Sequence, residues 1–351
     1  MNVFPPKVGE EVRCVVGRGS ARPEHRAWTK GRGAQRRFGT RPERRDVIAK
    51  APPALLLLLT CWTDAGDCKA EISAPAAAVE EEKGGGEVFI DLSKTPDPGT
   101  YDPSDPELRQ AAALIQDALN TTNVQTEEAI WTEIIDRYGS SQATWAPDVV
   151  GRAVGNRGNA RARQGRLEEA LIDYGEAIKR CPWSVDPVLN RGVALEGLGR
   201  FREAIADYRA VLAVDPQDPA AWNNLGNATA GTGEWEAAID YYKRAVSLAP
   251  QFAFAAANLT LAKYQVGKND VATLREMRTL LRRYPDFSDV RAALTAALWE
   301  SGLQSQAEDE WRRVDDPRYR DLVWLRATRR WPPRLVRALT SFLQLKPLPS
   351  Q

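Results

Sequence analysis

Four asparagines, Asn156, Asn190, Asn224 and Asn258, follow one another at intervals of 34 residues. Asparagine is a mediocre helix former, so helix propensity gives no reason for it to recur in helical sequence. Its side-chain amide offers two N–H donors and a carbonyl acceptor. A row of such amides can pair with both the N–H and the C=O of an extended backbone, with little regard to that segment's side chains. The same spacing also fits a local role, in which each amide satisfies groups of its own helices. Both readings stay open in the sequence. Asn159 and Asn227 follow two of the four by three residues, and Arg152 precedes Asn156 by four, so all three would share that helical face.

A second constellation is cationic. Residues 318–351 carry eight Lys/Arg against one acid, and Arg329, Arg330, Arg334 and Arg337 bracket Trp331-Pro332-Pro333. The proline pair ends one helix and can open the next at its first turn. In that next helix Leu335, Val336, Leu339, Phe342 and Leu343 oppose Arg334, Arg337 and Ser341. Such a helix either covers a last apolar edge of the fold or presents its arginines to a membrane surface or an acidic partner.

Catalytic chemistry finds little to work with. The one histidine, His25, and three of the four cysteines, Cys14, Cys61 and Cys68, lie in the first 70 residues. That leaves Cys181, which has no partner for an internal disulfide and reads as a structural thiol. No Gly-rich phosphate loop, metal-ligand cluster or nucleophile with its base is spaced as catalysis requires. The chain reads as non-catalytic and without a cofactor.

The net charge of +1 conceals an asymmetry: residues 1–50 hold 13 Lys/Arg against 5 acids, so both ends are basic and the middle is acidic. An acidic middle opposes nucleic-acid binding, which rests on Lys/Arg. An RNA-binding helical repeat is the weaker alternative on that ground.

The elements that must position these residues repeat as well. Gly158, Ala170, Tyr174 and Pro182 recur as Gly192, Ala204, Tyr208 and Pro216, then as Gly226, Ala238, Tyr242 and Pro250. A 34-residue period with small residues at fixed offsets is the signature of stacked helix-turn-helix units. Trp222, Leu225, Gly226, Ala238, Tyr242, Ala245 and Pro250 make the third unit closely similar to a tetratricopeptide repeat. The resemblance implies an all-α solenoid in which the asparagine positions face a concave, protein-binding groove. The row of asparagines resembles the ladder in the repeats of O-linked N-acetylglucosamine transferases and in armadillo-type importins. A chaperone carboxylate clamp is not complete here, because Gly155, Ala220 and Asn224 stand where that clamp needs basic residues.

Around the three full repeats, 151–252, the sequence suggests a degenerate leading unit over 106–148 and two degenerate units over 253–316. A capping segment over 317–351 would follow. The Ala-, Glu-, Gly- and Pro-rich stretch 74–105 reads as a disordered linker. Residues 1–73 read as an organellar leader: a basic, Arg-rich start, Arg44-Arg45, then the apolar run Ala54 to Leu59 and small residues beyond. The resemblance is to the bipartite leader of thylakoid-lumen proteins. It implies a chloroplast protein, associated with the thylakoid or its lumen, or alternatively stromal. The partner expected is an extended segment of a thylakoid protein or photosystem-assembly client, with the thylakoid surface as a second contact for the basic helix. A secreted or cytosolic adaptor is the competing reading.

Overall fold

The computed structural model describes residues 88–268 and 270–345. The expected leader lies outside the described residues. Among the described residues there are fourteen α-helices and no strand. They are α1 (Pro106–Asn120), α2 (Val124–Tyr138), α3 (Ala146–Arg163), α4 (Leu167–Arg180), α5 (Asp186–Gly197), α6 (Phe201–Val214) and α7 (Pro219–Gly231). Then follow α8 (Trp235–Leu248), α9 (Ala253–Val266), α10 (Asp270–Arg283), α11 (Ser288–Glu300), α12 (Gln304–Trp311), α13 (Leu322–Ala327) and α14 (Pro333–Leu345). No helix of the described residues is long and apolar enough to cross a membrane.

The chain divides into two compact units, and among the described residues the smaller comprises 102–113. There the Asp105 carboxylate accepts the Glu107 backbone N–H at 2.8 Å, capping the first turn of α1. Arg109 donates to the Ser104 carbonyl at 2.7 Å.

The larger unit is the helical stack. Each hairpin pairs a first helix with a second: α3 with α4, α5 with α6, α7 with α8, α9 with α10, α11 with α12. The turn glycines Gly165, Gly199, Gly233, Gly267 and Gly302 all have φ between 71° and 92°, the left-handed region where a Cβ is penalised. This turn recurs in the fourth and fifth hairpins too, although their other repeat residues have drifted. Within a hairpin, a Cβ on Gly158, Gly192 or Gly226 would stand 2.9, 2.7 or 2.6 Å from the ring of Tyr174, Tyr208 or Tyr242. The glycine of the first helix therefore exists to seat the tyrosine of the second.

The leading helix α2 is tied to α3 by ions. Glu128 takes Arg161 at 3.1 Å, Gln164 at 2.8 Å and also Arg166. Burial pushes the Glu128 carboxyl up, but hydrogen bonds from Gln164, Arg161 and Arg166 outweigh it and hold the group below its usual range. Two hairpins carry the same internal brace 34 residues apart: Arg157 with Asp173 at 2.7 Å and Arg191 with Asp207 at 2.6 Å.

The linker expectation for 74–105 needs correction in its described part. Residues Leu92–Lys94 and Pro98–Thr100 form 3₁₀ turns. Ile90 is buried with Val188, Val211 and Ala221, at the junction of the second and third repeats. The Asp91 N–H donates to the Pro182 carbonyl at 2.8 Å. Ile90, with Val88 packed beside it, thus anchors a stretch whose average composition reads as disorder, by reaching residues far along the chain, while Phe89 between them stays exposed.

A candidate protein-binding groove

The first helices α3, α5, α7, α9 and α11 touch in succession, and together they make one continuous face. The asparagines lie along it at the contacts between helices. Asn190 on α5 donates to the Asn159 carbonyl oxygen on α3 at 3.0 Å. The Tyr174 hydroxyl donates to the same oxygen at 2.9 Å, and the Asn159 amide donates to Asn156 at 3.3 Å. Two repeats later the arrangement returns: Asn258 donates to Asn227 at 3.1 Å and to Asn223 at 3.0 Å, and Tyr242 donates to Asn227 at 3.0 Å.

Each rung is therefore an asparagine of one first helix reaching back 31 residues to an asparagine of the preceding one. Between the two rungs that acceptor position is Val193. There Asn224 accepts from Asn223 at 3.3 Å instead. The four amides are not equally open. Asn224 and Asn258 are buried, while Asn156, Asn159, Asn190 and Asn227 are half-buried. The expected row of four open amides is shortened for a physical reason: bond-making groups at helix contacts are used by the fold first. Arg152 pairs with Asp148 on its own helix at 2.9 Å and is half-buried.

The C-terminal arginines bear on the two readings of the last helix. Three of the four turn inward. Arg329 lies against Asp289 on α11, with Nη2 at 2.6 Å and Nε at 3.0 Å, and also donates to Asn258 at 3.1 Å. The Asp289 carboxylate accepts from the Tyr319 hydroxyl at 3.1 Å and the Trp331 indole at 2.9 Å as well. Both partners of this ion pair are buried. Opening it from one side would cost about 3–5 kcal/mol. Arg334 forks onto Asp270 at 2.7 and 3.0 Å, reaches Glu300 at 2.8 Å, and stacks 4.2 Å from the Tyr264 ring centre. Arg337 alone of the four is exposed. The apolar side of α14 packs into the core of α9 to α13. The tail thus covers the end of the stack with its leucines and enters the inner face with its arginines.

Arg330 reaches furthest. Its guanidinium contacts the Glu196 carboxylate at 2.7 Å and the Glu196 backbone carbonyl at 2.7 Å, and sits 5.8 Å from the Phe201 ring centre. The Tyr208 hydroxyl donates to the other Glu196 oxygen at 3.1 Å. Burial pushes the Glu196 carboxyl above its usual range, against the pull of Arg330. Glu196 and Asp289 were not foreseen from the sequence. A signal for Glu196 exists: in a 34-residue alignment it stands in a column with Ala162 and Ala230.

Comparison with known proteins agrees with this geometry. Residues 189–252 match the family model described as tetratricopeptide repeat. No curated protein matches the sequence. A solved tetratricopeptide repeat protein from Parabacteroides merdae is 15% identical, with a TM-score of 0.52 over 67% of this chain and 98% of that one. The Cut9–Hcn1 hetero-tetramer of the APC/C is 17% identical, with a TM-score of 0.50 over 65% of this chain and 42% of that one. MamA is 24% identical, with a TM-score of 0.40 over 45% and 91%. With its glycine–tyrosine hairpins, its left-handed turn glycines and this match, the chain carries tetratricopeptide repeats, and its larger unit is an all-α solenoid.

Proposed function

We propose that this solenoid is a non-catalytic scaffold that holds an extended segment of a client protein against α3 and α5. The observation that carries this reading is the difference in exposure along the amide row. Asn156, Asn159 and Asn190 keep accessible amides, whereas Asn224 and Asn258 are buried. An extended backbone laid across α3 and α5 would complete hydrogen bonds that these amides leave unused, since each has more donor and acceptor capacity than the rung consumes. The leader suggests the chloroplast as the place of action and a thylakoid protein as the client. That part of the proposal rests on sequence resemblance alone.

The test is affinity recovery from fractionated chloroplasts with the wild type beside an Asn156→Ala/Asn190→Ala double variant. Clients recovered by the wild type should fall about tenfold with the variant, the equivalent of about 1.4 kcal/mol, while the helical circular dichroism signal is retained. Equal recovery from a folded variant would remove the amide row from the binding site.

A further inference from the structure

We propose that Glu196, the Glu196 carbonyl and the Phe201 ring form a guanidinium socket in the groove, held by the chain's own Arg330 and open to an arginine of an extended client segment. This rests on the reading of the concave face as a client groove and names the chemistry of the client.

Nothing in the repeat requires a carboxylate at this position. The equivalent residues in the neighbouring repeats are Ala162 and Ala230, and both hairpins close without one. Yet Glu196 is buried, at 6% exposure, and its oxygens are divided with purpose. The Tyr208 hydroxyl takes one oxygen at 3.1 Å, leaving the other for a cation. In the flanking repeats the corresponding tyrosines bond Asn159 and Asn227 instead. The change from asparagine to Val193 and from alanine to Glu196 therefore come together and convert one rung of the ladder into an anionic site. A planar, multi-donor cation that can bond two oxygens and lie by a ring describes arginine better than lysine.

The present occupant has the marks of a replaceable one. Arg330 comes from 134 residues away. It is the one non-glycine residue with positive φ among the described residues, at 53°, a conformation disfavoured for a side chain of this type. About a third of its side chain, 33%, remains exposed, against 9% for Arg329. Arg329 is consumed by Asp289 and Asn258 and belongs to the core of the cap. Arg330 adds one ion pair across the groove, and its release would relieve its backbone.

The test uses the full chain and a fluorescent heptapeptide with the sequence of residues 327–333, beside the same peptide with glutamine in place of both of its arginines, at 329 and 330. Arg330→Gly empties the socket and suits the positive φ, so the variant should fold; its circular dichroism melt serves as the check. It should bind the arginine peptide at least tenfold more tightly than the wild type. Glu196→Gln in the Arg330→Gly background should abolish that gain, and the glutamine peptide should bind neither. The idea is overturned if Arg330→Gly binds no better than the wild type, or if its binding ignores both Glu196→Gln and the peptide's arginines. Should binding instead follow Asn156 and Asn190, the client groove would stand and the socket alone would fall. The client-recovery experiment keeps Arg330 in place, so its failure is read separately.

Discussion

Cys181 shows how much one residue's setting decides. It follows α4, buried at 2% exposure. Its sulfur is so close to α3 that a Cβ on Gly151 would lie 2.2 Å from it. Burial pushes the thiol up to about 12, against about 8.5 for a free cysteine. The folded state thus keeps the proton that the unfolded chain gives up. The associated stability is fully present below about pH 8.5 and is lost as the pH rises towards 12. Reactivity follows the thiolate and its exposure. In a chain with Cys14, Cys61 and Cys68 replaced by serine, Ellman's reagent at pH 8 should leave folded Cys181 unmodified over the time in which denatured protein reacts completely. Rapid labelling of the native chain would show that α3 and α4 separate there. This thiol was legible as structural from its lone place beside Pro182. Glu196 was not, because its meaning depends on an arginine 134 residues away.

At the scale of the element, the hairpin is written locally, and two glycines separate packing from propensity. Gly226 on α7 faces the buried Tyr242 ring, with a Cβ position 2.6 and 2.7 Å from two ring carbons. Gly175 on α4 has nothing within 4 Å of its Cβ position. Helix propensity favours alanine over glycine by about 1 kcal/mol at either site. Gly175→Ala should therefore raise stability by about 0.5–1 kcal/mol. Gly226→Leu must place four carbons in space the tyrosine fills, and should cost about 3 kcal/mol or more, beyond the usual overpacking range. Urea titrations of both variants check this; a neutral Gly226→Leu would contradict the close seating of Tyr242. These residues were legible because glycine, alanine and tyrosine recur at offsets set by helix contact within one hairpin. The fourth hairpin has Thr260 in place of the helix glycine of the earlier repeats, while its turn glycine Gly267 (φ 71°) keeps the turn geometry. The docking place of segment 88–101 and the inward arginines escaped, since neither repeats and each is ordered by residues distant in sequence.

For the larger unit as a whole, the question is how far the tail's contribution travels. The core cluster around α11 and α14 contains Leu294, Leu298, Leu325, Trp331, Leu335, Leu339 and Phe342, all buried. Arg334 ties α14 to Asp270 and Glu300. Removing residues 317–351 would uncover the apolar side of α11 and strip the buried Asp289 carboxylate of its donors from Tyr319, Arg329 and Trp331. An uncompensated buried charge and an exposed core cannot both be absorbed locally. In a solenoid, however, each hairpin draws its stability from itself and its immediate neighbours, so the damage should decay along the stack. Hydrogen exchange of the truncated chain should show protection lost across α9 to α12, while the amides of α3 to α6 stay close to the intact protein. The Arg330–Glu196 pair links the tail to α5, with a third of the Arg330 side chain exposed and Glu196 buried. Its loss takes the cation from a carboxyl that burial already pushes up and that the Tyr208 hydroxyl still bonds, so it adds less to that gradient than the loss at Asp289. Equal loss of protection from α3 to α12 would mean that the hairpins unfold as one cooperative body. The tail would then be an integral part of the core, and its arginine could not leave the groove without unfolding the stack.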